Sequence, residues 1–128
     1  MNDFRPGFRM SWFDAAVLLV GAILAWLVGD RMAIGGLLVG FVVGHFFLFC
    51  NVFRIARNSE LLWAGVFLSL AVSTVLCQAQ GWWVTIPVSL VLSTFLIWLE
   101  MRKPSYHGIG WQRINPNLET WWKDHRRV

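Results

Sequence analysis

Four long apolar runs, each separated from the next by a few polar residues, dominate this chain of 128 residues. A helix of about 20 mainly apolar residues spans the roughly 30 Å hydrocarbon core of a bilayer. We therefore predict an all-α integral membrane protein, a four-helix transmembrane bundle with short loops. The predicted helices cover residues 12–29, 32–53, 61–79 and 82–100.

The first two runs are divided only by Gly29, Asp30 and Arg31. A single helix through both runs would be about 63 Å long, roughly twice the hydrocarbon thickness. We therefore predict a tight helical hairpin that turns at these three residues. Residues 1–103 form the predicted transmembrane domain, and residues 104–128 form a tail.

The charge content supports the membrane class. Only 14% of the residues are charged, whereas soluble domains carry about 25%. The formal net charge of +4 is explained by membrane topology, because the charges lie almost entirely outside the apolar runs. We expect no nucleic-acid partner.

Positive charge is distributed unevenly between the predicted sides of the membrane. Of the 11 Lys and Arg residues, all but Arg31 fall on one side if the N-terminus is inside. The positive-inside rule then predicts two cytoplasmic termini. The expected location is a bacterial cytoplasmic membrane, and the expected partners are its anionic inner leaflet and other membrane helices, in a homo- or hetero-oligomer.

Small residues recur at four-residue spacing in every run. Such stripes allow close approach of helix backbones, which membrane helices need because lipid supplies no hydrophobic drive between them. We expect the stripes to face the bundle interior or, through the bare glycines of the second helix, a homo-oligomer. They comprise Gly21, Ala25 and Gly29; Gly36, Gly40 and Gly44; Gly65, Ser69 and Ser73; and Thr85, Ser89 and Ser93.

His45 is the one ionisable side chain predicted near the bilayer midplane. Such residues are costly and are candidates for function. The first interpretation is a hydrogen bond across the bundle to Ser69, Ser73 or Ser89. The alternatives are a proton relay or substrate contact, or metal or haem ligation, for which bis-histidine haem needs a second copy of His45.

A second candidate site is a polar cluster at the predicted inner interface. It contains Asp14, Asn51, Arg54, Arg57 and Glu60. Asp14 is expected to pair with one of the arginines or to interact with the helix dipole. The cluster could bind an anionic headgroup, a phosphate or a loop of a partner, or it could simply fix the helix ends.

The tail predicts a short amphipathic helix over residues 117–126. We expect this helix to lie on the anionic inner leaflet, and the alternative is a docking segment for a protein partner. The predicted membrane anchor contains Trp121, Trp122, Lys123, Arg126 and Arg127.

No catalytic or metal-binding motif can be assembled from this sequence, so we expect no enzymatic activity, metal or cofactor. The first hypothesis for function is a non-enzymatic accessory, assembly or scaffold component of a membrane complex. The alternatives are a small oligomeric transporter or channel that uses His45, and a haem- or quinone-associated redox subunit.

Overall fold

The computed structural model describes residues 4–78 and 80–125, and this part of the chain is helical, without strands. Four helices, with α2 counted through its π-helical end, are long and apolar enough to cross a membrane. The prediction of an all-helical chain with four such helices is confirmed. In order, the elements are α1 (Trp12–Arg31), α2 (Ala33–Phe47, continued by a π-helical turn at Leu48–Val52), α3 (Arg57–Leu76), α4 (Trp82–Met101), α5 (Trp111–Ile114) and α6 (Leu118–His125).

The chain forms two compact units. The first unit contains the chain up to Arg54 together with His107–Trp111, and α1 packs against α2 within it. The second unit contains Ile55–Tyr106 and the chain from Gln112 onwards, and α3 packs against α4 within it. The predicted boundary at residue 103 concerns depth in a bilayer, so it stays a prediction.

The turn between α1 and α2 lies later than the sequence predicts. Helix α1 continues through Gly29 to Arg31, and Met32 alone has extended backbone angles (φ −147°, ψ 99°). The Met32 N–H still donates to the carbonyl of Val28, at 2.7 Å. Charged residues fit the last turn of α1, where a basic side chain such as Arg31 interacts favourably with the helix dipole.

Close backbone contact joins α1 to α2. A Cβ atom added at Gly36 would lie 2.5 Å from the Ala25 carbonyl oxygen and 2.5 Å from the Cα of Gly29. A Cβ at Gly21 would lie 2.7 Å from a methyl group of Val43. Since real Cβ atoms do not approach this closely, the two helices can meet here only where glycine removes the side chain.

The other glycines of the predicted stripes lie differently. Within its helix pair, each of Gly40, Gly44 and Gly65 is exposed, and an added Cβ would meet nothing within 4 Å. Contact within the pairs therefore does not require glycine at these three positions, and a packing role for them against a further helix stays a prediction.

In the second unit, α3 presents an aromatic face to α4. Trp63 is 1% exposed, its ring stacks on that of Phe67 at 5.3 Å, and its indole N–H donates to the Ser89 carbonyl at 3.0 Å. The expected interior stripe of α3 is not this face, because Gly65 and Ser69 are exposed. Trp63 is thus a packing residue of the α3–α4 pair.

Helix α4 supplies the small residues of this contact. Its stripe of Thr85, Ser89 and Ser93 is buried, as the spacing predicts. The hydroxyls of Thr85 and Thr74 lie 2.7 Å apart across the pair. Because Thr74 is near the end of α3 and Thr85 near the start of α4, the two helices are antiparallel.

Helix α3 begins four residues before the predicted start at Leu61. Arg57 and Glu60 lie in its first turn, where an acidic side chain is favoured by the dipole. The helix ends at Leu76, and Gln78 then has a left-handed backbone (φ 49°). The polar segment before Leu61 is therefore helix in part, and the predicted loop shortens to a few residues.

We expect Gly36→Ala to destabilise the α1–α2 pair by about 1–3 kcal/mol, because the new methyl group must push the backbone of α1 away. The matched control is Gly40→Ala in the same helix, where the methyl group meets nothing within 4 Å of its pair. The control should be neutral or stabilising by up to about 1 kcal/mol. Unfolding of each variant in detergent micelles, followed by circular dichroism, measures the difference; equal effects would contradict the packing described.

Candidate functional site

Helix α2 continues as the π-helical turn Leu48–Val52 at the end that is predicted to face the cytoplasm. The carbonyl of Asn51 accepts a hydrogen bond from the Arg9 N–H at 3.1 Å, and that of Val52 accepts one from the Ile109 N–H at 2.8 Å. The last carbonyls of a helix have no partner within it. Segments from before α1 and after α4 therefore complete the end of α2.

Asp14 lies at the start of α1 and forms a capping box with Ser11. Its carboxylate accepts hydrogen bonds from the Ser11 N–H and hydroxyl, both at 2.7 Å, and the Ser11 hydroxyl accepts one from the Asp14 N–H at 3.2 Å. The Asn51 amide and the Arg9 charge also act on this carboxylate. Ser11 is not a member of the predicted polar cluster, although Ser-x-x-Asp before an apolar run is a sequence signal for a helix start.

Asn51 is the buried centre of this polar end. It is 5% exposed, and its side-chain amide donates to the Arg9 carbonyl at 2.8 Å. Asn51 and Arg9 are therefore joined in both directions, by one backbone bond and one side-chain bond. The structure thus brings together two predicted residues, Asp14 and Asn51, and adds Arg9 and Ser11 to them.

Arg54 follows the π-helical turn with a left-handed backbone (φ 50°). Its guanidinium donates to the Arg5 carbonyl at 2.7 Å. Burial, followed by the like charge of Arg9, lowers the pKa of Arg54 below its ordinary value. The guanidinium remains charged at neutral pH, so two neighbouring arginines give this end of the first unit an excess of positive charge.

The remaining members of the predicted inner cluster belong to the second unit. Arg57 Nε lies 3.7 Å from a carboxylate oxygen of Glu60, and Glu60 is buried whereas Arg57 is exposed. The five predicted residues therefore fall into two groups, one in each unit. A single cluster formed by all five stays a prediction.

A second buried carboxylate, outside the predicted polar cluster, lies at the end of α4. Glu100 is 7% exposed and pairs with the Lys103 ammonium at 2.7 Å. Because α3 and α4 are antiparallel, Glu60 and Glu100 lie at the same end of the pair. Glu100 follows Ser93 of the predicted small-residue stripe by two helical turns, and this spacing is the sequence signal that could have identified it as inward-facing.

Tyr106 follows this carboxylate and is 1% exposed. Burial raises the pKa of its phenol above the ordinary value of 10.0, and the negative charge of Glu100 raises it further. The Asn115 side-chain amide donates to the carbonyls of Pro104 and Tyr106, at 2.6 and 3.2 Å. The first part of the tail is thus held against the end of α4.

His45 Nδ1 lies 2.8 Å from the carbonyl oxygen of Phe41, one turn earlier in its own helix. Since a carbonyl only accepts, Nδ1 carries the proton in this contact. The ring also lies between Phe41 and Phe49, with centroid distances of 4.2 and 5.7 Å. These contacts orient the imidazole along α2 among aromatic neighbours.

The serines predicted to contact His45 all lie in the second unit and have partners there. Ser69 donates to the Gly65 carbonyl at 2.8 Å, and Ser89 donates to the Thr85 carbonyl at 2.7 Å. The Ser73 hydroxyl bonds to the side-chain oxygen of Gln80 at 3.3 Å. A contact of any of them with His45 stays a prediction.

The tail helix α6 carries part of the predicted anchor. Trp121 and Trp122 are half-buried, and Lys123 pairs with Glu119 at 2.8 Å. The hydrogen bond from Lys123, then its charge, lowers the pKa of Glu119. Leu118, at the start of α6, is fully buried. Arg126 and Arg127 lie outside the described residues.

Within residues 4–78 and 80–125, no group of three or more His, Cys, Asp or Glu side chains is placed to hold a metal ion. No protein-family model, curated protein or solved structure matches this chain.

We expect the phenol of Tyr106 to titrate above pH 10 in the folded protein. Tyr106 is the only tyrosine, so the phenolate absorbance of the whole protein reports on it directly. Glu100→Gln should lower the pKa of Tyr106 part of the way towards its ordinary value, because the effect of burial remains. The control Glu119→Gln should leave the pKa of Tyr106 unchanged.

The raised pKa of Tyr106 also affects the stability of the folded protein at high pH. The phenol of Tyr106 ionises near its ordinary pKa of about 10 in the unfolded chain, and it ionises at a higher pH in the folded protein. The contribution of Tyr106 to stability is therefore complete below pH 10 and is lost as the pH rises through the folded pKa. A titration at or below pH 10 in the folded protein would contradict this description of the site.

Proposed function

We propose that this protein is a four-span integral membrane protein with both termini in the cytoplasm, which serves as a non-enzymatic accessory or scaffold component. Ten of the 11 Lys and Arg residues lie on the predicted inner side and only Arg31 on the outer, which supports this orientation. We infer that the two helix pairs assemble into one bundle in a bacterial cytoplasmic membrane.

The observation that carries the proposal is the large uncovered apolar surface of the spans. Only 6% of the apolar window of α1 is buried, and the most buried span, α4, reaches 28%. On α1, Leu19 is 63% exposed and Trp26 is 73% exposed. Soluble monomers rarely expose contiguous apolar surface on this scale, so lipid and other membrane helices are the proposed partners.

The polar side chains support an accessory role over chemistry in the membrane. His45 bonds to a carbonyl of its own helix, and Ser69, Ser89 and Thr94 do the same. Such contacts satisfy a polar group without water or a ligand. The hydrogen bond of His45 thus favours a structural role, and no second function is proposed for it.

The two native thiols test the orientation. Cys50 is near the proposed inner end of α2 and Cys77 follows the proposed outer end of α3; both side chains are exposed and neither is in a disulfide. In intact spheroplasts, a membrane-impermeant maleimide should label Cys50→Ser, which keeps Cys77, and should not label Cys77→Ser. The reverse pattern would contradict the orientation, and lysed cells serve as the control in which both variants react.

The accessory role predicts assembly through the spans. The protein extracted in mild detergent should have a polypeptide mass above the 14.7 kDa of one chain. A photo-crosslinking amino acid at Leu19, on the exposed face of α1, should give discrete protein adducts in membranes. The control at Arg113, an exposed position outside the spans, should not give them. A monomer without adducts at Leu19 would contradict the proposal.

A further inference from the structure

One side of α4 is uncovered within the second unit and lines an open cavity of about 600 Å³. The side chains that line this cavity, which we call the α4 face, are Leu90, Val91, Thr94, Phe95 and Trp98. The one hydroxyl among them, on Thr94, donates to the Leu90 carbonyl of the same helix at 2.8 Å. The α4 face therefore offers an apolar surface to whatever covers it.

The side chains of the α4 face favour a lipid chain over another helix. Helices pack closely in a bilayer through small residues, and α4 keeps its small residues, Thr85, Ser89 and Ser93, on its buried side. On the α4 face, Val91 is 71% exposed and Phe95 is 52% exposed. Large side chains keep a neighbouring backbone at a distance, whereas a flexible acyl chain fills the spaces between them.

A positive charge lies at one end of the α4 face. The guanidinium carbon of Arg102 lies 3.9 Å from the centre of the Trp98 ring, and Arg102 is exposed. The neighbouring carboxylate of Glu100 pairs with Lys103 at 2.7 Å, and no ion pair in the described part of the chain involves Arg102. A guanidinium that lies over an aromatic ring keeps the N–H groups at its edge available to an anion.

The charge and the apolar surface are aligned along the helix. Val91, Phe95, Trp98 and Arg102 follow one another at steps of four, three and four residues, which places them on one side of a helix. The apolar part of this line, from Val91 to Trp98, is about 10 Å long. Arg102 caps the C-terminal end of α4, which is the proposed inner end. An amphipathic ligand could therefore place its anion at the interface and its chain towards the bilayer centre.

We propose that the α4 face binds one anionic phospholipid of the inner leaflet, with its phosphate at Arg102 and an acyl chain against Trp98, Phe95 and Val91. Charge complementarity selects the phosphate, because a guanidinium donates charge-assisted hydrogen bonds to phosphate oxygens. Trp98 is a positioning residue, since its ring holds the guanidinium at the end of the apolar surface. The site rests on the proposed membrane insertion and deepens it by naming the lipid class and the face that binds it.

The first test measures lipid binding to the full-length protein by native mass spectrometry. Phosphatidylglycerol should bind in preference to phosphatidylcholine. Arg102→Gln should weaken the binding of phosphatidylglycerol about fivefold, as expected for about 1 kcal/mol per basic residue. Arg113→Gln removes the same charge from an exposed position of α5 and should leave the preference unchanged. Equal binding of the two lipids, or equal effects of the two variants, would overturn the proposal.

The second test examines the positioning role of Trp98. Trp98→Ala should weaken the binding of phosphatidylglycerol about as much as Arg102→Gln, and Trp98→Phe should retain most of the affinity because it keeps an aromatic ring. The matched control is Trp83→Ala, which removes a 92% exposed tryptophan from the other end of α4 and should have no effect. Equal losses for Trp98→Ala and Trp83→Ala would contradict the assignment of the site.

Two further measurements identify the occupant. Inorganic phosphate and glycerol 3-phosphate, which lack an acyl chain, should not displace phosphatidylglycerol, and displacement by either would assign Arg102 to a free anion. A photo-crosslinking amino acid at Phe95 should give adducts of phospholipid mass in membranes. Discrete protein adducts at Phe95 in their place would assign the α4 face to another helix and overturn the lipid site.

Membrane insertion is tested separately, by the resistance of the protein to carbonate extraction from vesicles. A protein that stays in the vesicles without preferring phosphatidylglycerol overturns the lipid site alone, whereas extraction by carbonate overturns the proposed function. All variants should keep the helical circular dichroism of the parent, because the substituted side chains are at least partly exposed.

Discussion

Close backbone approach at Gly36 is the contact on which the first unit depends. The position has no room for a single methyl group, because the Ala25 carbonyl and the Gly29 backbone occupy that space. This contact sets the register of α1 against α2. With the register set, the start of α1 lies beside the end of α2, where Asn51 can bond to Arg9 and line a groove with Asp14. The polar site is thus a consequence of a glycine near the opposite end of the hairpin.

In the second unit, a different kind of contact holds the two helices together. Here α4 supplies Thr85, Ser89 and Ser93, and α3 supplies the large rings of Trp63 and Phe67 together with Thr74 near its end. The indole N–H of Trp63 donates to the Ser89 carbonyl, so this buried nitrogen has a hydrogen-bond partner. Small residues against aromatic rings thus join this pair, and Gly65 and Ser69 of α3 stay exposed.

The length of the apolar runs predicted the four long helices, because a helix is the one local structure that satisfies every backbone group within such a run. The packing face was harder to predict. Helix α3 carries a small-residue stripe through Gly65 and an aromatic stripe through Trp63, and both have helical spacing. Only the partner helix decides between them, and α4 already provides the small residues. The capping box at Ser11 was readable from sequence, whereas the π-helical turn depends on Arg9 and Ile109, which are distant along the chain.

The placement of polar bonds also limits where this protein can recognise anything. Inside the spans, hydroxyls such as Ser69, Ser89 and Thr94 donate to carbonyls of their own helix, and the imidazole of His45 does likewise. Because these polar groups bond within their own helices, the helix faces stay apolar and can discriminate partners only by shape. Charge is confined to the helix ends, where it differs between the units: arginines predominate beside Asn51, and buried carboxylates lie at Glu60 and Glu100. Chemical selectivity in this chain therefore belongs to the polar helix ends, and the apolar middle of the long helices provides the fixed geometry that holds each polar end in place.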